Sequence, residues 1–429
     1  SGASGDTRGK HAAVTAGIVS TLIITIPIAI ILFFGRSAFG FLFSDDRCMD
    51  IFIILLPGLV LTSVYSVIRG SFWGNKQFVP YSVIELLEDA IMVVAGVWLV
   101  WGVSDPVDGA RLAIIAVLIS YVFSFCVSLF WYFRKGGRMA NPKPQLKPLF
   151  SAAAPITAMR TSTSLLNSAV AVILPLLLVN VCGYTNSEAL ALYGIVLGMA
   201  VPLIYSPNAL IGSIAVVVAP ELSENYYKKR DDAVRYDIEK TIKAAVFIAA
   251  LLVPVLFVLG SALSIFLYDS ELCGKIVTIS SFMILPTCIT MITNTVLNSM
   301  NCEKRTLVYF FIGAAVMLIC LLFLTRYMGV YAYVLGISLS QIICAVLNLI
   351  YLSKKCPKLN YMRYLVHSIL VITAACLFGW LLNGIISKYL APVWQILICA
   401  PLIIAFTAVS LYCLEMFSMH PFKRLFAKK

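Results

Sequence analysis

Charge is what this 429-residue sequence has least of: 32 Lys and Arg and 20 Asp and Glu, or 12% of the chain. A soluble domain carries about 25%, so a water-soluble globule is excluded. Histidine is nearly missing, with only His11, His367 and His420, and the twelve cysteines contain no C-x-x-C pair. That argues against zinc and haem sites and against a disulfide-stapled secreted module. No cofactor is expected. Cysteines inside apolar runs, such as Cys288 and Cys344, read as small buried hydrophobes. Also missing is the ten-residue alternation of an outer-membrane barrel. The connections leave no room for an outer catalytic domain, so an enzyme is not expected.

What remains is 61% hydrophobic, with a mean hydropathy of +0.96. Twelve long apolar runs occupy 13–35, 51–68, 82–103, 110–133, 149–182, 190–219, 240–267, 276–298, 307–326, 329–352, 364–387 and 393–416. A helix needs about 20 apolar residues to cross a bilayer, and helices satisfy their own backbone groups in lipid. The expected fold is therefore all-α and polytopic. If the runs alternate in direction, 25 of the 32 Lys and Arg fall on one side and six on the other, with Arg160 alone inside a span. The positive-inside rule then places both ends in the cytoplasm of a cell-membrane protein. It also accounts for the net charge of +12 without nucleic acid. The chain begins at Ser1, not Met, and no signal peptide precedes the first run.

Residues 6–100 and 230–325 look alike. Pro27 matches Pro254, Asp45 matches Asp269, Pro57 matches Pro286 and Lys76 matches Lys304. Both copies start on the same side, so they are parallel repeats. The second copy is preceded by two further spans, and the first by none. Fourteen helices are therefore expected in full, two of them absent from the front. The expected organisation is an N-terminal lobe at 1–133, a basic linker at 134–148, a C-terminal lobe at 149–352, and a closing helix pair with a basic tail at 353–429.

Two passages resemble a known family. The first is Arg69-Gly70-Ser71-Phe72-Trp73-Gly74, with Pro80 following and an acid at Glu88. The second runs Tyr193-Gly194, Gly198-Met199-Ala200, Pro207 and Pro220-Glu221-Leu222-Ser223-Glu224. With the span count, they resemble the multidrug/oligosaccharidyl-lipid/polysaccharide exporter superfamily, and within it the polysaccharide-biosynthesis and stage V sporulation protein B family. One departure is Met92, where the family often carries arginine. The resemblance implies two lobes around a central cavity. It also implies outward flipping, by alternating access, of a polyprenyl-pyrophosphate-linked oligosaccharide or peptidoglycan precursor. The alternative is a cation-coupled multidrug exporter of the multidrug and toxin extrusion type, with H+ or Na+ as coupling ion. Bilayer lipids are partners in either case.

Candidate residues follow from cost. Arg160 either snorkels to the surface or faces a cavity, where its guanidinium could grip a pyrophosphate. Asn167 and Asn208 are polar at membrane depth and suit a substrate or an interhelical hydrogen bond. Glu85, Glu88 and Asp89 share one helix face. Either they are a solvated helix start, or Glu88 and Asp89 form a counter-ion for Arg160 or a proton or sodium site. Arg69, Gly70, Gly74 and Glu221 belong to cytoplasmic motifs. Asn294, Asn298 and Asn301 read as structural, and the break at Pro202 and Pro207 as a bend or a binding site. The charged segment from Glu221 to Lys243 is expected to lie along the membrane surface.

Overall fold

The computed structural model describes residues 7–36, 46–356 and 359–414. Helix occupies every one of the twelve apolar runs, and no strand occurs among the described residues. The chain opens with α1 (Thr7–Phe34), α2 (Asp46–Gly74), α3 (Phe78–Val100) and α4 (Pro106–Arg134), followed by α5 (Lys143–Cys182). A broken helix comes next: α6 (Asn186–Tyr193), a π-helical turn at Gly194–Ala200, α7 (Val201–Tyr205) and α8 (Pro207–Tyr227). Then come α9 (Asp231–Tyr268), α10 (Glu271–Ser280), a 3-10 turn at Ser281–Met283 and α11 (Ile284–Ser299). The chain finishes with α12 (Glu303–Met328), α13 (Tyr331–Lys355), α14 (Met362–Ile386) and α15 (Pro392–Cys413). Eleven spans among the described residues are long and apolar enough to cross a membrane. The twelfth expected span is α3, which is as long but carries Glu85, Glu88 and Asp89.

Two compact units are present, residues 1–154 and 155–429. In the first, α1 packs on α2, α2 on α4 and α3 on α4. In the second, α9 packs on α10 and α11, α11 on α13 and α12 on α13. The neighbours of the repeat thus recur in each unit. The helix ends recur too. Lys76 and Asn301 both adopt left-handed backbone, each at φ 59°. Gln77 N–H donates to Phe72 O at 2.8 Å and Cys302 N–H to Leu297 O at 2.9 Å, closing α2 and α11 in the same way. The counterpart of Lys76 is therefore Asn301, three residues before the Lys304 that side-chain identity suggested. Asp45 lies outside the described residues.

In the second unit α9 is the hub. Its 38 residues span about 57 Å at about 1.5 Å per residue. Val234, Ile238, Ile242, Val246, Ala250 and Val253 are buried at helical spacing, and the helix meets α8, α10, α11, α14 and α15. The segment from Glu221 to Lys243 forms no separate surface helix. It continues α8 and α9 around a turn at Lys228–Arg230, with Lys229 at φ 55°. Leu222 and Ile238 are fully buried, and Asn225 Nδ2 donates to Asp237 Oδ2 at 2.9 Å. Packing and that bond hold the two helix ends together.

The first unit has a small core of Ile18, Val64, Ile68, Phe72, Ile84 and Tyr132. Beside it lies a charged one. Arg69 Nη1 meets Glu88 Oε2 at 3.0 Å and Nη2 meets Glu85 Oε1 at 3.0 Å. Tyr65 OH donates to Glu88 Oε1 at 2.8 Å and Ser124 Oγ to Glu88 Oε2 at 2.7 Å. The guanidinium also lies over the rings of Tyr65 and Tyr81, at 5.6 and 5.0 Å. Arg69 and Glu88 are each only 12% exposed. One ion pair thus joins α2 and α3, and Ser124 adds α4. Removing one partner from such a pair leaves a shielded charge uncompensated, at a cost of about 3 kcal/mol. Arg69→Met and Glu88→Leu should each lower stability by about that amount, with Glu88→Leu the milder because Glu85 still faces Arg69. The double variant should recover more than half of the summed loss. Thermal denaturation in detergent measures the cycle, and strictly additive losses would refute the coupling.

Candidate functional site

A cavity of about 560 Å³ lies within the second unit. Helix α5 supplies Met159, Thr163, Leu166 and Asn167, which share a face at i, i+4, i+7 and i+8. The broken helix supplies Tyr193, Leu197, Val201 and Tyr205. Helices α11, α12 and α13 close the wall with Thr290, Asn294, Tyr309, Tyr333 and Gln341 among others.

The wall mixes apolar side chains with hydroxyl and amide groups and carries no charge. Its lining contains no Asp, Glu, Lys, Arg or His. Gln341 Nε2 donates to Tyr205 OH at 3.4 Å, Thr290 Oγ1 to Gln341 O at 3.1 Å, and Asn348 Nδ2 to Asn294 Oδ1 at 2.9 Å. These bonds hold the amides and hydroxyls in place across three helices. Aromatic faces beside fixed hydroxyl and amide groups suit an uncharged, polyhydroxylated guest. The break in the helix has a local cause. Pro202 has no N–H, and its ring would crowd the carbonyl one turn earlier. The π turn directly before it gives way, with Val201 N–H donating five residues back to Val196 O.

The expected residues fall in several places. Asn167 lines the cavity. Arg160 does not, but it follows Met159 of the wall directly, is exposed, and has no ion pair among the described residues. The apolar part of α5 begins near Ala153, so Arg160 sits about two turns inside it. Asn208 is half-buried with its Oδ1 shielded and without a hydrogen-bond partner, so it makes no interhelical bond through that atom. Within the first unit, Glu88 is already held in an ion pair. Arg69 on the neighbouring helix engages it, together with Tyr65 and Ser124. Asp89 is exposed and without an ion pair among the described residues.

Among the motif residues, Arg69 is buried in its ion pair, Gly70 and Glu221 are exposed, and Gly74 lines a smaller cavity in the first unit. Asn298 Oδ1 accepts from Thr306 Oγ1 at 2.9 Å. Asn294, Asn298 and Asn301 thus hold helix contacts and a helix end. Tyr193, Tyr205, Tyr309, Tyr333 and Gln341 were missed as site residues. The available signal was the lone glutamine in α13, an amide that is costly at membrane depth unless it is hydrogen-bonded.

Comparison with known proteins places the site in context. Residues 4–400 match the lipid II flippase MurJ family. The chain is 22% identical over 375 residues to stage V sporulation protein B of Bacillus subtilis (strain 168), covering 83% of this chain and 72% of that one. Among solved structures, the fold is similar to a mutant of the Vibrio cholerae MATE transporter VcmN, with a TM-score of 0.69 at 14% identity over 82% of this chain and 81% of that one. It is also similar to a MOP-superfamily transporter from Pyrococcus furiosus whose binding pocket has reversed polarity, with a TM-score of 0.67 at 15% identity over 83% and 81%. The MATE likeness is one of fold, whereas the family match runs through nearly the whole sequence. This chain, a polytopic bundle, belongs to the lipid II flippase MurJ family.

Proposed function

We propose that this flippase carries a polyprenyl-pyrophosphate-linked saccharide or peptidoglycan precursor from the cytoplasmic to the outer leaflet of the cell membrane by alternating access. The uncharged wall of the second-unit cavity carries this reading. Its tyrosines and amides would take the sugar, and Arg160, beside Met159, would take the pyrophosphate bidentately. Asn167 would orient the guest, and Asn208 offers an unpaired oxygen. The polyprenyl tail would stay in lipid. Both ends of the chain would lie in the cytoplasm, following the charge asymmetry. A coupling cation, H+ or Na+, would act at Asp89, which no basic residue engages among the described residues.

The rival is a multidrug exporter with an acidic site. Its support is the fold likeness to MATE transporters. Against it, Glu85 and Glu88 are both committed to Arg69, and the cavity wall holds no acid.

Two measurements test the reading. In proteoliposomes, a fluorescent polyprenyl-pyrophosphate sugar should be flipped. Arg160→Ala should slow it about 10- to 100-fold, the worth of a charge-assisted contact, and Asn167→Ala less. Transport of cationic dyes without any flipping would favour the exporter instead. For topology, Asn141→Cys and Lys388→Cys are made after replacing the exposed Cys126 and Cys413. An impermeant maleimide should label position 388 in intact cells and position 141 only after permeabilisation. The reverse pattern would invert the orientation.

A further inference from the structure

The first unit contains a second cavity, of about 400 Å³, where the start of α1 meets the ends of α2 and α4. Lys10, His11 and Lys135 line it, with the amides of Asn75 and Gln77, and no carboxylate does. Neither lysine has an ion pair among the described residues. His11 is held by its surroundings. Arg138 N–H donates to its Nδ1 at 3.4 Å, so the neutral ring carries its proton on Nε2. That Nε2 has no protein partner among the described residues. Tyr132 OH donates to Arg138 O at 3.2 Å and fixes the same stretch of backbone. Two ammonium groups, an imidazole donor and two amide side chains therefore line one space with no carboxylate among the described residues of its wall; Asn75 Nδ2 also donates to Ser71 O at 2.8 Å, and Lys135 Nζ lies 5.9 Å from the centre of the Trp131 ring.

Gly74 points to the same space. Of the passage Arg69-Gly70-Ser71-Phe72-Trp73-Gly74, Arg69 serves the ion pair and Phe72 the core. The backbone at Gly74 is not left-handed, and a Cβ there would meet nothing within 4 Å. Neither conformation nor packing requires glycine at this position. A larger side chain there would enter the cavity that Gly74 lines.

We propose that this cavity binds a phosphate group, either the headgroup of an anionic phospholipid or a soluble phosphate. The site is separate from the second-unit cavity and does not depend on the transport reading. Phosphate chemistry fits because its oxygens accept several hydrogen bonds at once while its charge answers the two lysines. Helix ends that collect basic residues lie at the leaflet where anionic lipids concentrate.

The full chain in detergent, studied by native mass spectrometry with phosphatidylglycerol or phosphatidylethanolamine, and by calorimetric titration with inorganic phosphate, tests this. Saturable binding of phosphatidylglycerol over phosphatidylethanolamine identifies a headgroup site, and saturable binding of inorganic phosphate identifies a soluble-anion site. Gly74→Leu, which fills the cavity without altering charge, should weaken the bound species about tenfold or more. Lys10→Gln with Lys135→Gln should do the same, as expected for two lysines near a phosphate. Lys388→Gln, at the turn between α14 and α15 and no part of the lining, should change nothing. Thermal denaturation checks that each variant is folded, and the lysine pair carries the test if Gly74→Leu is not. Absence of saturable binding of either probe would overturn the proposal, as would binding that survives both the glycine and the lysine variants.

Discussion

Hydrocarbon does not solvate charge, and that constraint shapes the rest of this molecule. A charged side chain held at membrane depth costs several kcal/mol unless it is paired. Three acids on one helix would exclude α3 from the bilayer if they stood alone. Arg69 answers two of them, and Tyr65 and Ser124 each donate a further hydrogen bond to Glu88. The same contacts tie α2, α3 and α4 into one body. The small apolar core of the first unit thus works alongside an electrostatic one.

The second unit meets the same constraint without charge. Counted back from the left-handed residue that ends each helix, Arg69 corresponds to Asn294 and Tyr65 to Thr290. Where the first unit sets a guanidinium against a carboxylate, the second sets Asn294 against Asn348 and Thr290 against the Gln341 carbonyl. Amides need less compensation than ions. Part of their capacity stays free, and they line a cavity, whereas the charged version is closed and serves as a clamp. Two copies of one helix plan have diverged at equivalent positions, one toward rigidity and the other toward a chamber.

The helices were legible in the sequence because each needs only a local run of apolar residues. The ends were less so: Lys304 resembles Lys76 chemically, but backbone handedness, which composition does not encode, pairs Lys76 with Asn301. The Arg69–Glu88 pair was hidden for a different reason. Nineteen residues and a turn separate its partners, and only the packing of α2 on α3 brings them together. The signal was an unmatched base and an unmatched acid at similar depth on consecutive spans. The cavity wall was least legible. It draws on several helices and on tyrosine, threonine and amide groups, which singly read as ordinary interhelical contacts. Asn167 was found because an asparagine in lipid is costly; Tyr205 and Tyr333 were not, because tyrosine is cheap to bury.

Between Tyr193 and Tyr205 the wall residues recur every fourth position. In plain α geometry each such step overshoots a full rotation by about 40°, so three steps would carry Tyr205 roughly 120° around the axis from Tyr193. The wider π winding at Gly194–Ala200 holds more residues per rotation and absorbs that overshoot. Four side chains that plain α winding would send spiralling away thus all reach one cavity wall.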